Sequence, residues 1–197
     1  MSSYARAGRF MLRNMKHRVY PWLMIKGQDV LILLKLLGEH DRWTVRSVGD
    51  SLGIDPAGVH RALKRLEQAG LLDAGDHRVN RSNAEEFLIH GLKYLFPARQ
   101  EGLSRGVPTA WAAPPLSDEL VQVDEPPPVW PDARGELRGV ALRPLHEKAV
   151  QVARRDPSLA EQLALLDAIR LGDGRVRSLA AKRLRERLHP VGTAREH

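Results

Sequence analysis

Residues 43–72 read WTVRSVGDSLGIDPAGVHRALKRLEQAGLL. Thr44 offers a hydroxyl N-cap ahead of Val45, Val48 and Leu52, three apolar residues at helical spacing. Gly53 stands just past the last of them, where helices often end in a left-handed residue that glycine adopts without strain. Ile54 fills the corner. Asp55-Pro56 then restarts a helix, with a side-chain acceptor at the cap and a proline at the first helical position, where its missing N–H costs nothing. This second helix buries Val59, Leu63 and Leu66 and stops at Gly70.

The opposite side of the second helix carries Ala57, Gly58, His60, Arg61, Lys64 and Gln68. Two short helices about a glycine corner, the second small at its tip and basic outside, form a helix-turn-helix arrangement. Such a surface suits the DNA major groove. Ala57 and Gly58 allow close approach, and the helix N-terminus favours a phosphate. Ala57, His60 and Arg61 are the expected base readers, Arg61 by a bidentate pair with a guanine edge. Thr44, Lys64 and Arg65 are expected to hold the backbone, Lys64 as a point charge. The competing reading makes these cations a solvated helix face; the turn chemistry around Gly53 weighs against it.

The run HRALKRLEQAGLL, preceded by SLGID, resembles the recognition helix and strand entry of bacterial winged-helix regulators of the MarR-like kind. The resemblance covers about residues 26–96. It implies a β-hairpin wing and then a further helix. Leu71-Leu72 supplies one wing strand, Ala74-Gly75-Asp76 the turn and His77-Arg78-Val79 the return, with Asn80 to Ser82 capping the next helix. A wing this short limits its DNA contacts to His77, Arg78 and Arg81. In that family, helices outside the reading motif build a dimer.

Composition bounds the rest. The chain has 197 residues, 31 Lys+Arg against 24 Asp+Glu, a net charge of +7 and a pI near 10.1, a balance that favours an anionic partner. It has no cysteine, which excludes disulfides, thiolate catalysis and cysteine-zinc sites and fits a cytoplasmic location. The apolar run from Trp22 to Leu37 is broken by Lys26, Gln28, Asp29 and Lys35, so it reads neither as a membrane span nor as a signal peptide.

Four regions follow. Residues 1–25 form a basic arm with Arg6, Arg9, Arg13, Lys16 and Arg18 and no acidic residue before Asp29. It is suited to a phosphate backbone, to a minor groove, or to nothing beyond a frayed terminus. Residues 26–96 are the winged helix-turn-helix domain, opening with QDVLILLKLLG (28–38), a helix apolar on most faces and therefore sandwiched. Trp43 is expected to start a short strand that pairs with the wing, and NAEEFLIHGLKYLF (83–96) to form a helix stopped by Pro97. Residues 97–135 hold eight of the thirteen prolines and read as an extended connecting segment, with Leu120 to Val123 as a brief strand. Trp111 and Trp130 argue that it packs on something rather than standing in water. Residues 136–190 return to helix in three amphipathic stretches, Leu145–Arg155, Ser158–Leu171 and Arg175–Leu188, as a small bundle for dimerisation or partner binding. The last is basic enough to add DNA contacts.

No catalytic or metal-binding pattern emerges. There is no HExxH, no GxxxxGK[ST], and His146-Glu147 lacks a second histidine. The expectation is a non-enzymatic protein without cofactor or metal. Its fold is mainly α with a small β wing: a winged helix-turn-helix domain, a Pro-rich segment and a C-terminal helical bundle. The expected function is sequence-specific double-stranded DNA binding as a homodimeric transcription regulator, a repressor, with residues 56–69 in the major groove. Two alternatives stand beside it. One is an antitoxin or adaptor that grips a protein partner through residues 97–190 while the winged helix autoregulates its operon. The other is general RNA or nucleoid binding.

Overall fold

The computed structural model describes residues 24–39, 43–120 and 125–189. The basic arm up to residue 23 and most of the expected strand at Leu120 to Val123 lie outside them. The chain is mainly helical. Helix α1 (Gly27–Gly38) buries Val30 to Leu34, Leu36 and Leu37, so its nearly continuous apolar run is enclosed on several sides at once. Against it stand α2 (Val45–Leu52) and α3 (Pro56–Gln68), joined by Gly53 at φ 66°, the left-handed corner expected of a glycine at that position. Thr44 Oγ1 accepts from the Ser47 N–H at 3.0 Å, and Asp55 Oδ1 accepts from the Gly58 N–H at 2.8 Å. Both caps therefore form where their residue types predict.

The wing is reduced to a single antiparallel bridge, Leu72 with Val79, closed by a turn at Ala74 to Asp76. The Asp73 N–H donates to the Arg78 carbonyl at 2.8 Å, and the Asn80 N–H to the Leu71 carbonyl at 3.0 Å. Trp43 joins no strand. It packs half-buried on the core, its ring centroid 6.0 Å from that of His77. The helix after the wing runs through α4 (Arg81–Glu86), a π-helical turn (Phe87–Gly91) and α5 (Leu92–Leu95).

Beyond Pro97 the chain departs from the expected linker. Strand β1 (Gln100–Pro108) pairs antiparallel with both β2 (Pro128–Pro131) and β3 (Leu137–Leu142), while β2 and β3 pair in parallel, so the three close on one another. Prolines sit at strand ends, at Pro108, Pro128 and Pro131, where the missing N–H interrupts no central ladder. Closure brings backbones so near that a β-carbon on Gly106 would strike the Trp130 carbonyl, and one on Gly139 the Pro127 carbonyl. A proline count cannot reveal such pairing, because the partners lie tens of residues apart.

Helices α6 (Ala149–Ala153), α7 (Pro157–Leu171) and α8 (Gly174–Leu188) are the last elements among the described residues. Asp156 and Asp173 cap α7 and α8 through the Leu159 and Val176 N–H groups, at 3.0 and 2.8 Å. Helix α7 is buried from Gln162 to Ile169, with α8 on one side and the segment after β1 on another. Its buried Asp167 accepts from Thr109 Oγ1 at 2.9 Å, Trp130 Nε1 at 2.6 Å and Arg170 Nη1 at 2.6 Å. Burial pushes this carboxyl up, opposed by the Arg170 guanidinium and the two neutral donors. The indole of Trp130, which argued against a free linker, is thereby anchored in the interior. One apolar core runs from α1 through α8, so α2 and α3 rest on the later elements.

Candidate nucleic-acid interface

Helix α3 divides its residues sharply between two sides. Val59, Ala62, Leu63 and Leu66 are fully buried, which holds the helix rigidly by its rear face. Ala57, His60, Arg61, Lys64 and Gln68 are exposed on the other. Among the described residues, the side chains of His60, Arg61 and Lys64 make no hydrogen bond or ion pair. Spacings of three and four put them in one row. Arg46, on the first turn of α2, is likewise exposed and unpaired. Nothing in the sequence distinguished it from any solvated arginine.

Four of the expected contact residues are engaged within the chain itself. Arg65 is only 6% exposed, and its guanidinium forks onto Asp29, Nε to Oδ2 at 2.7 Å and Nη2 to Oδ1 at 2.5 Å. These bonds raise the Arg65 pKa further above its ordinary value. The arginine thus answers the buried carboxylate of α1. The helical phase held the clue, since Arg65 lies seven residues after buried Gly58 and three after buried Ala62.

Gly58 is no groove-facing tip either. A β-carbon there would stand 2.9 Å from Asp55 Oδ2 and 3.2 Å from Gln28 Nε2, and its carbonyl accepts from Gln28 Nε2 at 3.2 Å. Glycine at this position lets α3 pack on its own cap and on α1. Arg81 is half-buried and donates to the Leu188 carbonyl at 2.6 Å and the Leu37 carbonyl at 3.4 Å, tying the ends of α8 and α1. In the wing, His77 Nδ1 lies 2.6 Å from Glu67 Oε1, so that ring closes the wing on α3. Arg78 remains exposed, its Nε 3.1 Å from Asp76 Oδ2 in a surface pair that leaves the guanidinium accessible. Thr44 is exposed, its hydroxyl already engaged in capping α2.

The basic face of α8 is mostly consumed internally. Arg183 forks onto Glu119 at 2.6 and 2.7 Å and meets Glu186 at 2.7 Å; Arg185 Nε reaches Glu85 Oε1 at 2.7 Å; Arg187 pairs with Glu161. Arg177 donates to the Ile169 and Gly172 carbonyls at 3.2 and 2.8 Å.

A comparison of the chain with family models agrees with this geometry. Residues 31–73, from α1 to the entry of the wing, match the winged helix-turn-helix DNA-binding family. No curated protein and no solved structure matches the chain. Among the described residues, no helix is long and apolar enough to cross a membrane.

Proposed function

We propose that this protein is a non-enzymatic, sequence-specific transcription regulator of the MarR-like kind that binds double-stranded DNA as a homodimer and acts as a repressor. One observation carries the reading: α3 is clamped from behind, yet it presents the side chains of His60, Arg61 and Lys64 with no partner among the described residues. A rigid helix with unspent cations in one row is what a major groove accepts. In this reading Ala57, His60 and Arg61 face bases. Lys64 and Arg78 hold phosphates, with Arg46 and the start of α2 at Thr44 as further backbone contacts. Two copies of α3, one DNA turn apart, would read a palindromic site. The test is selection of duplexes from a random pool with purified protein, followed by footprinting. A protected site with dyad symmetry and salt-sensitive affinity is expected. Equal affinity for every duplex would overturn the reading.

A further inference from the structure

A cleft of about 520 Å³ opens between the end of the three-stranded sheet and α6, within the roughly 300–1,000 Å³ usual for small-ligand sites. Three arginines line it: Arg134, Arg154 and Arg155. Asp132 answers Arg154, Oδ2 to Nη2 at 2.9 Å, but stands 4.0 Å from Arg134 Nε. Arg155 makes no side-chain hydrogen bond or ion pair among the described residues. Asp132 thus holds Arg154 closely and Arg134 only at the limit of ion-pair distance, while the Arg155 guanidinium has no counter-charge among the described residues. Gln151 and Glu147 add an amide and a second carboxylate to the lining, groups that favour a ligand bearing hydroxyl donors beside its charge.

The same helix touches the reading motif. A β-carbon on Gly53, the corner between α2 and α3, would lie 4.0 Å from Gln151 Oε1. Arg155 also lines a second cleft, of about 330 Å³, with Asp50, Ser51 and Leu52 of α2. Helix α6 spans only Ala149–Ala153, its N-cap makes no side-chain hydrogen bond, and Ala149 and Val152 join it to the core that also holds α2 and α3. We propose that this cleft is an effector site for a small hydroxylated carboxylate or phosphate monoester, received by Arg134 and Arg155, whose binding moves α6 and alters DNA affinity through the Gly53 corner. The regulatory half rests on the DNA-binding reading above; the ligand half does not.

The experiment has two arms, both on the full chain. In the first, citrate and glycerol 3-phosphate serve as probes against sodium chloride at matched ionic strength, which removes general screening. At about five times Kd, one of them should raise Tm by roughly 2–4 °C. That rise should vanish in Arg134→Gln and Arg155→Gln, whose exposed side chains leave the fold intact by circular dichroism. No rise with either probe, or an equal rise in the variants, overturns the site. In the second arm, the effective probe should change affinity for the selected duplex at least threefold in the wild type and not in Arg155→Gln. An unchanged affinity overturns the effector role. Failure to select any duplex would instead strike the DNA-binding reading while the thermal shift still judged the cleft.

Discussion

Helices α3 and α8 are both basic, and they spend their charge differently. On α8, Arg183, Arg185 and Arg187 each close on a carboxylate contributed by another element or by the helix itself. On α3, Arg65 does the same toward Asp29, but the side chains of His60, Arg61 and Lys64 find no partner among the described residues. Charge that is already satisfied costs more to redirect toward DNA than charge left in water. Net basicity therefore says less about a binding surface than the number of cations still unpaired. By that measure α3 is the surface proposed to read DNA, and α8 a brace.

The largest test of this contrast lies behind α3. Asp29→Ala would leave the Arg65 guanidinium buried without its counter-charge, at a cost of about 3–5 kcal/mol. Urea unfolding should show the loss, whereas joint replacement by Asp29→Leu and Arg65→Met should recover most of it. If Asp29→Ala left stability unchanged but weakened DNA binding, Arg65 would belong with the groove-facing cations after all.

On the outward face, Arg61→Ala should cost about 1–3 kcal/mol on the selected site and relax one base position, read by competition with single-base variants. Lys64→Ala should weaken all duplexes alike and lower the salt slope by about one phosphate contact. A changed base preference in that variant would exchange the two roles. On α8, Arg185→Gln should cost no more than about 1 kcal/mol of stability and leave DNA affinity as it was. A loss of affinity there would end the distinction between brace and reading surface.

The smallest effect is one of pH. Hydrogen bonding to Arg185, ahead of contacts with His189, holds the Glu85 carboxyl below its ordinary 4.5. A depressed carboxylate pKa contributes stability that is present above the unfolded value and lost as pH falls through the folded one. The stability advantage of wild type over Glu85→Gln should thus persist at neutral pH and fade as the pH drops past the ordinary 4.5 and through the depressed folded value, measured by thermal unfolding across acid pH.

Much of the reading motif was legible before any coordinates. Thr44, Gly53, Asp55 and Pro56 act on neighbours three or four residues away, so their residue types alone set where α2 ends and α3 begins. The exposed row of His60, Arg61 and Lys64 follows from the same 3.6-residue period. Less legible was any contact whose partner is distant in sequence. The Arg65 partner Asp29 lies 36 residues earlier, the Arg81 partner, the Leu188 carbonyl, lies 107 later, and the β2 partner of β1 begins only at Pro128.

Local hydrogen bonding and periodicity thus wrote the helix boundaries and the apolar stripes directly into the order of residues. Packing settled the other half: which cations remain free, how proline-rich strands close into a sheet, and where α6 meets the Gly53 corner. The reason is that capping is settled within one helical turn. The fate of a charge depends instead on whichever opposite charge the fold carries to it, and chain order alone does not measure that distance.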